Sequence, residues 1–174
     1  QQLLQKPAHL TWEESASYGL TYYTAHRMLV DRAKIQPGQS VLVWGAGGGL
    51  GVFAVQLAAA VGARPIAVVS SPDRAELCMS LGAVGVIDRS EFPGLPYRDG
   101  MTAAEEADRV AAVKAFGRRI WEILGERTGV DVVFEHVGKS TFPASVFLAN
   151  DFGRIVICGA TTGYNLTFDV RHLW

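Results

Sequence analysis

This chain contains few cysteines, and it has no large excess of positive or negative charge. The 174 residues include two cysteines, Cys78 and Cys158, with no CxxC pair and no cluster with histidine. This scarcity argues against a disulfide framework or a structural zinc site, and it favours a reducing, cytoplasmic compartment. The formal net charge is −1, with acidic and basic residues mixed along the sequence. Bulk charge therefore gives no support for binding nucleic acid or a membrane surface.

Long apolar runs and several familiar catalytic motifs are also missing. The longest apolar stretch, VFAVQLAAAV, contains Gln56 and is too short to span a bilayer, so we expect no membrane span. There is no GxSxG elbow, and the stretch GAGGGLG lacks the GK(S/T) ending of a mononucleotide phosphate site. The four histidines have no metal-ligand spacing among themselves or with the cysteines. We therefore expect no bound metal.

The sequence contains short apolar, β-branched runs that alternate with helical segments. Apolar residues make up 49% of the chain and glycine occurs 19 times, as is typical of a packed α/β domain. Strands are predicted at SVLVW, RPIAVVS, VGVID, DVVFEH and GRIVICG. Short connections in βαβαβ order specify right-handed crossovers and a parallel sheet. The predicted fold class is α/β, a Rossmann-like doubly wound parallel sheet flanked by helices.

Helices are predicted before and between these strands. The first, TWEESASYGLTYYTAHRMLVDRA, opens with Thr11 and Glu14 at the spacing of a capping box. Others are predicted at PDRAELCMSLG and at about 49–61, 105–124 and 141–148. The stretch SEFPGLPYRDGMTAA, between Ser90 and Ala104, has no periodicity and contains two prolines. It is predicted to be an irregular loop.

The stretch VWGAGGGLG, from Val43 to Gly51, follows the first strand and opens a helix. Such a turn directs backbone N–H groups and a helix N-terminus towards one point, where a pyrophosphate is favoured. Alanine stands in first place of the fingerprint Ala46-x-Gly48-x-x-Gly51 and still keeps the turn small. The strand before it and the helix after it predict a dinucleotide site, with another ligand such as S-adenosylmethionine as the alternative. Its candidate contacts are Ala46, Gly47, Gly48, Gly49, Leu50 and Gly51.

The end of the second strand selects between NAD and NADP. An NAD site places a carboxylate there for the ribose 2′-hydroxyl, but this chain has VVSSPDR. Ser70 and Ser71 supply hydroxyl donors, and Arg74 adds a cation one helical turn later. Arg89, at the end of the third strand, is placed to reach the same phosphate from the side. Taken singly, either arginine is equally explained as solvated surface charge, but the combination favours NADPH as cofactor.

In these residues, the chain resembles the medium-chain dehydrogenase/reductase superfamily and, within it, the crotonyl-CoA carboxylase/reductases. The similar stretches cover almost the whole chain and include VLVWGAGGGLG, AVVSSPDRAELC, VDVVFEHVGKSTF and CGATTGYNLTFDVRHLW. The resemblance implies a zinc-independent, NADPH-dependent oxidoreductase. Such an enoyl-CoA reductase and carboxylase reduces an α,β-unsaturated acyl-CoA and captures CO2 at the α-carbon, giving an alkylmalonyl-CoA.

The resemblance also implies roles for particular residues. Ser70, Ser71 and Arg74 match the stretch that binds the 2′-phosphate, and Arg171 matches an arginine associated with the CoA moiety. A surface arginine in a frayed terminus is the alternative for Arg171. Loops after the fourth and fifth strands match those that flank the nicotinamide end of the cofactor. The residues in these loops are His136, Val137, Gly138, Cys158, Gly159 and Ala160.

Glu135 and His136 raise the separate question of an acid/base pair. Adjacent residues on a strand point to opposite faces, so we expect a cofactor-binding role for His136 and no such pair. For Cys158, a small apolar packing role is the expected alternative to a reactive thiol.

The resemblance implies a division into domains. Residues 1–36 are expected to form a linker helix from a GroES-like catalytic domain that precedes this chain, and residues 37–174 an NADPH-binding domain with an insertion at about 89–125. The catalytic residues, none of which is expected within this chain, would then lie outside it, so the chain alone is expected to be an inactive piece. The complete enzyme would bind an acyl-CoA and CO2 and form a homo-oligomer.

Two other functions remain open at this point. One is a stand-alone or excised nucleotide-binding module without turnover. The other is a simple NADPH-dependent quinone or alkenal reductase, which the long insertion and the FDVRHLW tail disfavour.

Overall fold

The computed structural model describes residues 5–173 and contains one five-stranded sheet. The strands are β1 (Ser40–Val43), β2 (Arg64–Val69), β3 (Gly85–Asp88), β4 (Val130–Glu135) and β5 (Ala149–Ile157). All neighbouring pairs are parallel, in the order β3-β2-β1-β4-β5. The chain runs outward from β1 to β3 and then crosses to β4 on the other side of β1, which makes the β1/β4 boundary a topological switch point. The predicted fold class is confirmed.

Within residues 5–173, five α-helices pack around the sheet, and each lies close to its predicted position. They are α1 (Trp12–His26), α2 (Gly49–Val61), α3 (Pro72–Ser80), α4 (Ala103–Leu124) and α5 (Phe142–Leu148). The capping box of α1 forms as expected, with the Thr11 hydroxyl accepting from the Glu14 N–H at 3.1 Å and the Glu14 carboxylate accepting from the Thr11 N–H at 2.8 Å. A π-helical segment, Arg27–Arg32, continues α1. Short 3₁₀ turns lie at Arg89–Glu91 and Val170–Leu173.

Both faces of the sheet are buried, which explains the nearly continuous apolar runs of its strands. Because side chains alternate along β1, Val41 and Val43 pack under the first three helices while Leu42 points to the opposite face. The second face is covered by α4 and α5, whose buried residues include Phe116 and Leu148. Two apolar layers therefore hold the carboxyl ends of the strands in a fixed arrangement.

The fifth strand differs from its prediction. It starts at Ala149 rather than Gly153 and ends at Ile157, so Cys158 and Gly159 lie in the loop beyond it. The register jumps from Val130 opposite Ala149 to Val132 opposite Arg154, which makes an irregular bulge that the apolar pattern does not encode. No helix within residues 5–173 combines the length and the apolar character needed to cross a membrane.

Candidate functional site

A crevice of about 780 Å³ lies at the carboxyl ends of the first four strands, where doubly wound sheets bind their ligands. Its walls are built from the residues that follow each strand. Trp44 and the glycine turn follow β1, Ser70 follows β2, Arg89 follows β3 and His136 follows β4. The irregular loop after β3 adds one wall through Phe92, Pro93, Leu95 and Pro96.

The glycine turn forms the floor of this crevice. Gly48 is the N-cap residue of α2, and Gly47 and Gly48 both line the crevice at the N-terminal end of that helix. A Cβ atom at Gly51 would lie 2.4 Å from the Gly45 carbonyl oxygen, so the last glycine of the fingerprint is required by the contact between helix and turn. Ala46 is fully buried and packs in the core below. An alanine methyl group is therefore accommodated where the usual fingerprint has glycine.

The predicted cofactor residues fall into two groups in the structure. Lining the crevice directly are Gly47, Gly48, Ser70, Arg74, Arg89, His136 and Val137. Outside this lining lie Ala46, Gly49, Leu50, Gly51, Ser71, Gly138, Cys158, Gly159 and Ala160. Leu50 packs against the core, Gly49 faces Thr21 of α1, and Ser71 is the N-cap residue of α3.

One end of the crevice is rich in positive charge. A Cβ atom at Gly47 would lie 2.7 Å from the Arg74 Cβ, so the Arg74 side chain packs directly over the glycine turn. Among the side chains described, neither Arg74 nor Arg89 forms an ion pair. The carboxylate of Asp88 accepts instead from the Ser90 N–H at 2.8 Å, and this backbone hydrogen bond lowers the pKa of Asp88. Both guanidinium groups therefore remain available to an anion.

The other end is formed by the loops after β4 and β5. His136 Nε2 lies 2.9 Å from the Trp44 carbonyl oxygen, which can only accept, so this nitrogen carries a proton. Thr162 N–H donates to the Val137 carbonyl at 2.8 Å and joins the two loops. Gly138 has φ +89°, and a Cβ atom there would lie 2.8 Å from Ala160 Cα. Glycine at this position thus permits the close approach of the two loops.

Several residues at this end are not among the predicted cofactor contacts. Trp44, Thr141, Thr161 and Thr162 also line the crevice, and Glu135 lies fully buried beneath it. Glu135 and His136 do point to opposite sides, as the strand geometry predicts. The only sequence feature that points to Glu135 is an acidic residue at the end of an apolar strand. Its role cannot be inferred from that feature, because its hydrogen-bond donors Thr141 and Ser145 come from another part of the fold.

Cys158 is predicted to be an unreactive thiol. Burial, with a smaller effect from Glu135, raises its pKa from 9.0 to about 11. We expect iodoacetamide to modify Cys158 at pH 9 much more slowly in the folded chain than in urea, because the thiolate is the nucleophile. Folding stability should fall as the pH rises from 9 towards 11, since the unfolded state then loses the proton first. Mass spectrometry of the labelled peptide measures the rates, and equal rates would contradict the prediction.

Arg171 lies at a second cavity, of about 710 Å³, between α4 and the C-terminal segment. Its guanidinium pairs with the carboxylate of Asp169, with Nε 3.0 Å from Oδ1, and these hydrogen bonds lower the pKa of Asp169 to about 2. The segment is anchored by edge-to-face contacts of Phe168 with Phe142 and of His172 with Phe147. Arg109 and Lys114 of α4 line the same cavity. The structure thus brings Arg171 together with two other cations, apart from the first crevice, and Arg109 is paired there with the Glu106 carboxylate.

A doubly wound sheet with a glycine turn at its switch point defines the class of Rossmann-like domains. The family described as zinc-binding dehydrogenase matches residues 49–174, and the chain belongs to this family. Within residues 5–173, no group of three or more His, Cys, Asp and Glu side chains is arranged to hold a metal ion.

Three individual relatives show which enzymes of this kind the chain is similar to. The chain is 47% identical over 176 residues to a crotonyl-CoA carboxylase/reductase of Cereibacter sphaeroides, covering 100% of this chain and 41% of that protein. A solved crotonyl-CoA carboxylase/reductase superposes with a TM-score of 0.92 at 48% identity, over 99% of this chain and 41% of the other. The 2-octenoyl-CoA carboxylase reductase CinF, solved with NADP and 2-octenoyl-CoA, gives 0.85 at 41% identity, over 98% and 38%. The resemblance stated from the sequence is confirmed, and the chain spans about two fifths of these relatives.

Proposed function

We propose that this chain is the NADPH-binding part of an enoyl-CoA reductase and carboxylase. The observation that carries the proposal is the crevice at the switch point, where Ser70, Arg74 and Arg89 stand in place of the carboxylate of an NAD site. The similarity to reductases of this kind supports the same assignment, including CinF with its bound NADP.

Each part of the crevice has its own task in this proposal. The N-terminal end of α2 and the glycine turn hold the pyrophosphate. The hydroxyl of Ser70 and the two arginines hold the 2′-phosphate through charge-assisted hydrogen bonds. The loops after β4 and β5, with His136 and Val137, position the nicotinamide half and exclude water from it. When bound, NADPH supplies the hydride.

The complete reaction requires more than these residues. In the whole protein, hydride transfer to Cβ of an enoyl thioester leaves an enolate, whose Cα forms a bond with CO2 to give an alkylmalonyl-CoA. Exposed apolar side chains on α1, such as Trp12 and Leu20, support a linker role for residues 1–36, docked against a GroES-like catalytic domain. The fully exposed Phe152 on the edge strand β5 supports a homo-oligomer. The two free cysteines support a cytoplasmic location.

The direct test of the proposal is calorimetric titration of the chain with NADPH and with NADH. Tight binding of NADPH with much weaker binding of NADH is the expected result. Equal binding of both cofactors would contradict the assignment of Ser70, Arg74 and Arg89 to the 2′-phosphate. Binding of neither cofactor by the folded chain would contradict the assignment of the crevice as the cofactor site. Mixing with NADPH and crotonyl-CoA, with and without bicarbonate, should give no loss of nicotinamide absorbance. Steady turnover would place catalytic residues within this chain.

Arg171 is predicted to contribute to binding the CoA moiety at the second cavity. Replacing it with alanine should weaken binding of CoA by about tenfold, because one charge-assisted hydrogen bond to a phosphate is lost. Titration of the chain with CoA measures this, and NADPH affinity should not change. Arg119→Ala is the matched control, since Arg119 pairs with Glu122 on α4 and does not line that cavity. Equal CoA affinity in Arg171→Ala and Arg119→Ala would contradict the prediction.

A further inference from the structure

Glu135 is a buried carboxylate with an unusual set of partners. It is the last residue of β4, and none of its surface is exposed. Its Oε1 atom accepts from the N–H groups of Val137 at 2.8 Å and Gly138 at 3.1 Å. Its carboxylate also accepts from the hydroxyls of Thr141 at 3.0 Å and Ser145 at 2.7 Å. Among the described residues, no Lys, Arg or His forms an ion pair with it.

Such a carboxylate is not explained by the stability of the sheet. Burial of a carboxyl group without a paired cation is unfavourable, and hydrogen bonds offset this only in part. Val132, Val133 and Phe134 fill the preceding positions of β4 with apolar side chains. An apolar residue at position 135 would continue that pattern but would leave the N–H groups of Val137 and Gly138 without this acceptor. Glu135 therefore acts as the hydrogen-bond acceptor for the turn that follows the strand.

The same network extends to the first strand. Ser145 donates its hydroxyl proton to Glu135 and accepts at 2.8 Å from the indole Nε1–H of Trp44. Trp44 follows β1, lines the crevice and stacks on Phe116 with ring centroids 5.4 Å apart. One carboxylate thus ties together the chain segments that leave β1 and β4, the two strands at the switch point.

The position of Glu135 excludes direct contact with a ligand. The side chain does not line the crevice, and both of its oxygens already accept hydrogen bonds. Val137, which it holds, does line the crevice. In a doubly wound sheet, the strands on the two sides of the switch point each bind one mononucleotide half of a dinucleotide. Val137 follows β4, so it lies on the side of β4 and β5, where we expect the second half to bind.

We propose that Glu135 is a positioning residue that fixes the Val137–Gly138 backbone and thereby sets the pocket for the nicotinamide half of the cofactor. This inference rests on the proposed function, because it assigns that half of NADPH to this end of the crevice. Glu135 acts on the site from a buried position, without lining the crevice. The adenosine half, held by Ser70, Arg74 and Arg89, does not depend on it.

The test compares two probes on the variant Glu135→Gln. Glutamine keeps the size of the side chain but replaces one acceptor oxygen with an NH2 group that cannot accept. NADPH, which occupies both halves, should bind about tenfold more weakly, as expected when a buried hydrogen bond that holds the pocket is lost. Adenosine 2′,5′-bisphosphate, which occupies the adenosine half alone, should bind as it does to the unmodified chain. A purely structural role would change both affinities by the same factor or neither, and either result in a folded variant overturns the inference.

Amide hydrogen exchange gives a readout that needs no ligand. Exchange at Val137 and Gly138 should accelerate in Glu135→Met, which removes both acceptor oxygens, relative to amides of β2, whose exchange should stay the same. This measurement separates the two proposals. Failure of the unmodified chain to bind NADPH would remove the proposed function, whereas unchanged exchange at Val137 and Gly138 would remove the role of Glu135.

A milder variant covers the case in which Glu135→Gln does not fold. Ser145→Ala removes one donor to the carboxylate and the acceptor of the Trp44 indole, while the backbone donors stay in place. We expect a smaller loss of NADPH affinity and again no change for adenosine 2′,5′-bisphosphate. Ser80→Ala is the matched control, because Ser80 is an exposed residue on α3 that bonds only within its own helix. Equal NADPH affinity for Ser145→Ala and Ser80→Ala would contradict the network.

Discussion

Replacing Gly51 with alanine is expected to lower the free energy of unfolding by about 3 kcal/mol, the upper part of the usual range for overpacking. The new Cβ atom would lie 2.4 Å from the Gly45 carbonyl oxygen and 2.5 Å from Ala46 Cα. These are backbone atoms of the glycine turn, so no side chain can rotate away to relieve the clash. Either α2 moves off the turn or the turn opens. Urea denaturation followed by circular dichroism measures the loss.

Gly49→Ala is the matched control for this prediction. Gly49 lies two residues earlier in the same helix, and a Cβ atom there would meet only the Thr21 Cγ2 atom, at an ordinary contact distance of 3.8 Å. Alanine also has the higher helix propensity, so we expect a change in stability of less than about 1 kcal/mol. If Gly51→Ala and Gly49→Ala unfold at the same urea concentration, the close contact between helix and turn does not constrain the fold.

The order of strands and helices could be predicted because their signals are local. Each strand is a short apolar run that ends at a turn residue, and α1 starts at a capping box that the sequence shows directly. The start of β5 could not be predicted in this way. Its register with β4 jumps between Val130 and Val132, and the bulge at this point depends on pairing between distant segments. The polar stretch Asn150–Asp151 gives no periodic signal for a strand.

The candidate site could be predicted where its residues follow a strand directly. The glycine turn, Ser70, Arg89 and His136 meet at one edge of the sheet because the carboxyl ends of parallel strands lie together. Glu135 could not be recognised, since its role depends on hydroxyls from α5 and on the indole of Trp44, which is 101 residues distant from Ser145 in sequence. The alanine in the fingerprint is explained only by the core into which its methyl group packs.

Replacing Arg74 with alanine is expected to raise the dissociation constant for NADPH by on the order of 10- to 100-fold, the effect of losing charge-assisted hydrogen bonds. In the proposed site its guanidinium holds the 2′-phosphate, a group that NADH lacks. The affinity for NADH should therefore change by less than about twofold, since the remaining contacts to the cofactor are the same. Calorimetric titration of both cofactors against the unmodified chain and the variant gives this comparison. Arg119→Ala serves as a control for the loss of one surface arginine.

Arg74 also packs over the glycine turn, and this contact must be separated from its charge. The carbons of its side chain lie 2.7 to 2.9 Å from the position of a Cβ atom at Gly47, so loss of the side chain also uncovers the turn. Arg74→Met keeps an unbranched apolar stem but removes the guanidinium. If the charge recognises the 2′-phosphate, the methionine and alanine variants should lose NADPH affinity equally while NADH binding is kept. If methionine restores NADPH binding, or if alanine weakens NADH as much as NADPH, Arg74 acts by supporting the turn, and selection for the phosphorylated cofactor must come from Ser70 and Arg89.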